Sequence, residues 1–260
     1  MTERTMSGGV GKGSSVRQMW RAGALLLVLA STVVGCEDGG GNASGGDGRS
    51  QGSAQVGADR VCHGALSAEG VKALGVMTAV KKYAPDDVRT DPARAVAELV
   101  ASYVPGTPTD PTTFTQEAKG RACKVTPAGG PLWDAEVDLS FVAKENAKGT
   151  YRLGPNVAYA DEVMAELYFP CQSPRLPGNE DGPLVVKAAL RSSPHSGKRT
   201  PGSAAETERL RRANLTFLNS VAYAAAKSLR CSGNGGVRQV AAVENAPSPE
   251  PPNTSPPVAG

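Results

Sequence analysis

Four cysteines spread almost evenly along the chain constrain its fold more than any other feature. Cys62, Cys123, Cys171 and Cys231 lie 61, 48 and 60 residues apart, while the fifth, Cys36, stands alone behind an apolar run. An even set in a chain that leaves the reducing cytoplasm reads as two disulfides, with three pairings possible. Sequential pairing, Cys62 with Cys123 and Cys171 with Cys231, is favoured over the two crossed alternatives, because each bridge then ties a helix-bearing segment to a strand segment. In the chain-entropy account a loop of about 60 residues is worth ~4 kcal/mol per bridge, comparable to the net stability of a small domain. Zinc is the competing use of these thiols. It needs a C-x-x-C pair or finger-type cysteine and histidine spacing, and the chain has neither, with only His63 and His195 to contribute. No metal and no cofactor is expected.

The leader supplies the oxidising compartment. Residues 17–21, RQMWR, make a positive flank, and Ala22 to Val34 form an uncharged, largely apolar run of thirteen residues. A helix rising ~1.5 Å per residue needs about 20 residues to cross a bilayer core, so this run reads as the apolar core of a signal peptide. It ends in Val33-Val34-Gly35-Cys36, which resembles the lipobox of bacterial lipoproteins. The resemblance implies that diacylglycerol is attached to the Cys36 thiol and that a dedicated peptidase cuts before it, with the small Gly35 at the cut. Cys36 then becomes the first residue of a mature chain held by lipid at the extracytoplasmic face of the cell membrane. Two acyl chains give a stable anchor where one myristoyl chain is marginal. Arg17 and Arg21 are not adjacent, so general secretory export is expected rather than the twin-arginine route. The alanine-, glycine-, valine- and arginine-rich style, with Cys62-His-Gly-Ala-Leu66 opening the domain, resembles small actinomycete lipoproteins of unassigned activity. That resemblance supplies no functional residue beyond Cys36.

Composition divides the rest. Residues 37–60 hold eight glycines among small polar residues, and residues 246–260 hold six prolines, so neither stretch can bury apolar area. The expected order is a signal peptide over 1–35, a flexible tether over 36–60, one globular domain over 61–245 and a disordered proline-rich tail over 246–260. The formal charge of +3 resides in the leader, where Arg4, Lys12, Arg17 and Arg21 face only Glu3. A balanced mature chain lacks the clustered cationic surface that phosphate backbones require, so no nucleic-acid partner is expected.

Periodicity places the elements of the domain. Ser67 is positioned to cap a short helix from Ala68 to about Leu74 with Gly75 as its stop, and Asp91 with Pro92 opens a second in which Val96, Leu99, Val100 and Tyr103 share a face. From Arg121 the period becomes two. Ala135, Val137, Leu139 and Phe141 alternate with Asp134, Glu136, Asp138 and Ser140, and the pattern returns in Val163, Ala165, Leu167 and Phe169 and in Val186, Ala188 and Leu190. Ser203-Ala-Ala-Glu206 is a capping box opening a long helix to about Arg230, whose stripe runs through Leu210, Phe217, Val221 and Ala224. The predicted fold is α+β: an antiparallel sheet of about four strands covered by a long C-terminal helix, with two short helices on the N-terminal side.

No sequence motif gives a chemistry. Gly8 to Ser14 looks like a phosphate loop, but Gly13 stands where Ser or Thr must follow Lys12, and the segment belongs to the leader. There is no G-x-S-x-G, and Ser196 beside His195 is a loop coincidence. His63 reads as a surface or capping histidine, Asp161, Glu162 and Glu166 as the wet side of a strand, and Trp133, Tyr151, Tyr159 and Tyr168 as packing or rim aromatics. The chain is therefore expected to be an envelope binding or accessory module, not an enzyme, acting on another envelope protein, a lipid or a wall component. The alternative is an envelope hydrolase with dispersed catalytic residues.

Overall fold

The computed structural model describes residues 54–87, 89–104, 120–128, 133–142, 147, 149–176, 182–194 and 202–246. The leader, Cys36, the first part of the glycine-rich stretch, His195, Ser196 and the proline-rich tail lie outside the described residues.

Three helices pack on one seven-stranded sheet. Helix α1, Ala68–Thr78, starts where Ser67 accepts the Gly70 N–H at 3.1 Å. It does not stop at Gly75. Glycine inside a helix costs about 1 kcal/mol, and burial of Met77 one turn on offsets this, so the helix ends only where Ala79 turns left-handed at φ 57°. Helix α2, Pro92–Ala101, is capped by Asp91, which accepts the Ala93 N–H at 2.8 Å, and it buries Ala95, Val96 and Leu99. Helix α3, Ala204–Leu229, is capped by Ser203, while the Glu206 carboxylate reaches back to the Gly202 N–H at 3.0 Å. Its Leu210, Phe217, Leu218, Val221, Ala225 and Leu229 are buried against the sheet and the other two helices.

The strands are β1 (Gly120–Val125), β2 (Trp133–Val142), β3 (Tyr151–Leu153), β4 (Asn156–Ala160), β5 (Met164–Cys171), β6 (Leu184–Pro194) and β7 (Val243–Asn245). They lie in the order β1-β2-β6-β5-β4-β3-β7, every pair antiparallel. After the β1–β2 hairpin the chain crosses to β3 and returns as a meander to pair β6 with β2. The expectation of about four strands is too low, and the reason is length: β3 and β7 have three residues each and β4 five, too few for alternation to show. The long strands follow the predicted register, with Ala135, Val137, Leu139, Ala165, Leu167, Phe169, Val186, Ala188 and Leu190 all buried. On the opposite face, Lys187 meets Glu166 at 3.4 Å and Arg121 pairs with Glu136, so the solvent side of the sheet is a mixed-charge lattice. Val56 in the glycine-rich stretch already pairs with Tyr83, backbone to backbone, at 2.9 and 3.0 Å.

Two disulfides brace this arrangement. Cys62 is bonded to Cys123 and Cys171 to Cys231, the sequential pairing. The first fixes the turn before α1 to β1, and the second fixes the turn after α3 to the end of β5. None of these four cysteines is free to serve as a thiolate ligand.

Candidate functional site: a stapled cleft on the last helix

Helix α3 carries polar residues inside its apolar stripe. Asn214, Asn219 and Ser220 are all buried, and a buried polar group must find a partner or cost ~1–3 kcal/mol. Asn214 donates to the Asp161 carbonyl at 3.0 Å, Asn219 donates to the Arg238 carbonyl at 2.9 Å, and the Ser220 hydroxyl meets that of Ser67 at 2.9 Å. These bonds register α3 against three otherwise separate segments. Two of those segments rise beside its C-terminal half and leave a cleft.

The floor of the cleft is Ser220, Tyr223, Ala224, Lys227 and Ser228 of α3. One wall is Gly64 to Ser67, enclosing with α3 a hollow of about 340 Å³. The other is formed from Gly233 to Gln239, with Pro155 behind it, around a second hollow of about 490 Å³. The hollows share Tyr223 and Gln239. Together they form one groove along the helix.

Each wall leaves a disulfide cysteine through left-handed backbone. Cys62, His63 and Gly64 have φ of 52°, 55° and 72°, and Gly233, Asn234, Gly235 and Gly236 have φ between 55° and 73° apart from Asn234 at 52°. For a residue with a Cβ this conformation costs roughly 1–2 kcal/mol, so the surroundings must hold it. At the first wall the Asp86 carboxylate accepts the Cys62 N–H at 2.9 Å and the His63 N–H at 2.5 Å. At the second, the Ser232 N–H donates to the Gln172 carbonyl at 2.8 Å, and Gly235 lies so close to the Pro170 carbonyl that any Cβ there would overlap it. Both walls are thus tied to the sheet side by a disulfide and by hydrogen bonds, which preorganises the opening between them.

The groove is cationic. Lys227 and Arg238 line it, and no aspartate or glutamate does. The Lys227 ammonium stands 5.6 Å from the centre of the Tyr223 ring, within cation–π range, and makes no ion pair with another described residue.

The residues singled out in the sequence fall elsewhere or play other parts. His63 is exposed, its Nε2 3.3 Å from the Asp87 carbonyl, and it packs toward the 86–87 loop. Asp161 accepts the Val163 and Met164 N–H groups at 2.8 and 2.7 Å, Glu162 pairs with Arg211 at 3.2 Å, and Glu166 accepts from Tyr168 and Lys187. Tyr151 donates to Glu208 at 2.8 Å, and Tyr159 is half-buried on β4. Burial, and then the neighbouring Glu166, raise the Tyr168 hydroxyl above the usual tyrosine range. Nothing is described of the Trp133 side chain. Tyr223, Lys227, Arg238 and Gln239 drew no notice in the sequence. Their signal was indirect: Asn219-Ser220 interrupting an apolar stripe, and Gly-Asn-Gly-Gly following Cys231.

No protein-family model, curated protein or solved structure matches the chain. No described helix is long and apolar enough to cross a membrane, and no three His, Cys, Asp or Glu side chains among the described residues group as a metal site would.

Proposed function

We propose that the chain is a lipid-anchored protein of the cell envelope, tethered through Cys36 at the extracytoplasmic face, and that it acts as a binding or accessory module through the cleft on α3. Val33-Val34-Gly35-Cys36 supports the anchor. The observation that carries the binding part is the groove itself, with one wall following each disulfide-bonded cysteine. A concave site with fixed walls and a few convergent polar groups loses little entropy on taking a ligand, which is what distinguishes a recognition site from an incidental furrow. A flexible tether holds such a module near the membrane and raises its local concentration for partners there.

The test is photocrosslinking in intact cells, with the full chain carrying a benzoylphenylalanine at Ala224 in the groove or at Tyr159 on the sheet. A discrete adduct of defined mass from the Ala224 position alone is the expected result. No adduct from Ala224, or the same adducts from both positions, overturns the reading.

A further inference from the structure

We propose that the groove on α3 recognises a small organic anion, through a phosphate or carboxylate set between Lys227 and Arg238; this rests on the groove being a binding site at all. Three independent features converge there. Both charged side chains lining the groove are cations, and no carboxylate lines it to neutralise them. A mixed-charge surface is the rule elsewhere on this molecule, where the sheet face sets Lys187 against Glu166, Arg121 against Glu136 and Lys124 against Asp134. The second feature is the start of α1, an eleven-residue helix whose cap, Ser67, lines the groove. Ser67 satisfies the Gly70 N–H, while the Ala68 and Glu69 N–H groups bond to no acceptor among the described residues, so the positive end of the helix dipole faces the same opening. Third, the chain already uses this chemistry once: the backbone N–H groups of left-handed Cys62 and His63, on the same wall, hold the carboxylate of Asp86.

The remaining lining fixes what the rest of the ligand is. Tyr223 lies between the two hollows with Lys227 over its ring, and Ser228 and Gln239 add a hydroxyl and an amide at the rim. That set suits a short polyol or similar hydrogen-bonding body beside the anionic group. A phosphate of this kind has two sources, the headgroup of an anionic lipid or a soluble phosphate ester. The chemistry at the groove is the same for both.

The experiment is an amide-shift titration of the full chain, held in neutral detergent, with glycerol 3-phosphate, glycerate, glycerol, dihexanoylphosphatidylglycerol and dihexanoylphosphatidylcholine. The anions should shift the amides of Gly64–Ser67 and Gly233–Gln239, glycerol should not, and Lys227→Gln or Arg238→Gln should weaken the anions about tenfold, as loss of one charge-assisted contact does. Saturation by glycerol 3-phosphate assigns a soluble ester, and saturation by the phosphatidylglycerol probe alone assigns the lipid headgroup. Equal shifts from glycerol, or anion binding unchanged in both variants, overturn the anion inference and leave the groove as a binding site. Shifts confined to the outer sheet face overturn both.

Discussion

The hydroxyls of Ser67 and Ser220 meet 2.9 Å apart in the core, although 153 residues separate them in the chain. Ser67 also caps α1 by accepting the Gly70 N–H, and Ser220 donates on to the Thr216 carbonyl at 3.3 Å. One hydroxyl pair therefore ends the first helix, locates it on the last and forms the inner corner of the groove.

That corner has no spare volume. A Cβ on Gly70 would overlap the Ser220 hydroxyl, so Gly70→Ala should destabilise by about 1–3 kcal/mol despite alanine's better helix propensity. Ser220→Ala alone should cost about 1 kcal/mol. The double variant should recover part of the Gly70→Ala loss. Denaturant titrations of all three measure the coupling, and simple additivity would contradict the close packing.

Phe217 is fully buried where α3 crosses the sheet. Phe217→Ala should cost roughly 3–5 kcal/mol, the usual penalty for emptying an aromatic site in a core. Thermal melting reads this, and a neutral result would mean that α3 is not the cover of the sheet.

Each disulfide holds one wall of the groove. Replacing Cys171 and Cys231 by Ala removes a loop closure spanning 60 residues and should cost ~4 kcal/mol in the denaturant midpoint. Hydrogen exchange should accelerate over Gly233–Val237 beyond the global change. If those amides exchange no faster than the core after correction for stability, the staple does not shape the wall.

Alkaline stability should report Tyr168. Burial, and then the hydrogen bond to and charge of Glu166, raise its pKa above the ordinary value of 10.0. The folded chain thus keeps a proton that the unfolded chain gives up. That stability is complete below about pH 10 and is lost as pH rises beyond it. Tyr83 and Tyr151, also raised chiefly by burial, act in the same direction. Tyr168→Phe should flatten the decline in unfolding free energy above pH 10, and parallel curves for wild type and variant would contradict the assignment.

Long elements were legible in the sequence because they repeat their signal. The alternation from Ala135 to Phe141, the stripe from Leu210 to Val221 and the caps Ser67, Asp91 and Ser203 each combine several positions that agree. Strands β3 and β7 offer three residues apiece and exist through their partners, with Arg152 paired to Val157 on one side and to Glu244 on the other. The groove was invisible for a related reason. Gly64, Tyr223, Lys227 and Arg238 come from three distant segments, and only the disulfides, the hydroxyl pair and the left-handed turns bring them together.

The anchor is tested by metabolic labelling with a radiolabelled fatty acid, comparing wild type with Cys36→Ala. Wild type should carry label, sediment with membranes and begin at Cys36, and the alanine variant should carry no label, because no other group there can form the thioether. An unlabelled wild type, or a Cys36→Ala chain that still takes up label and stays with the membrane, would contradict the proposal that this protein is a lipid-anchored envelope module.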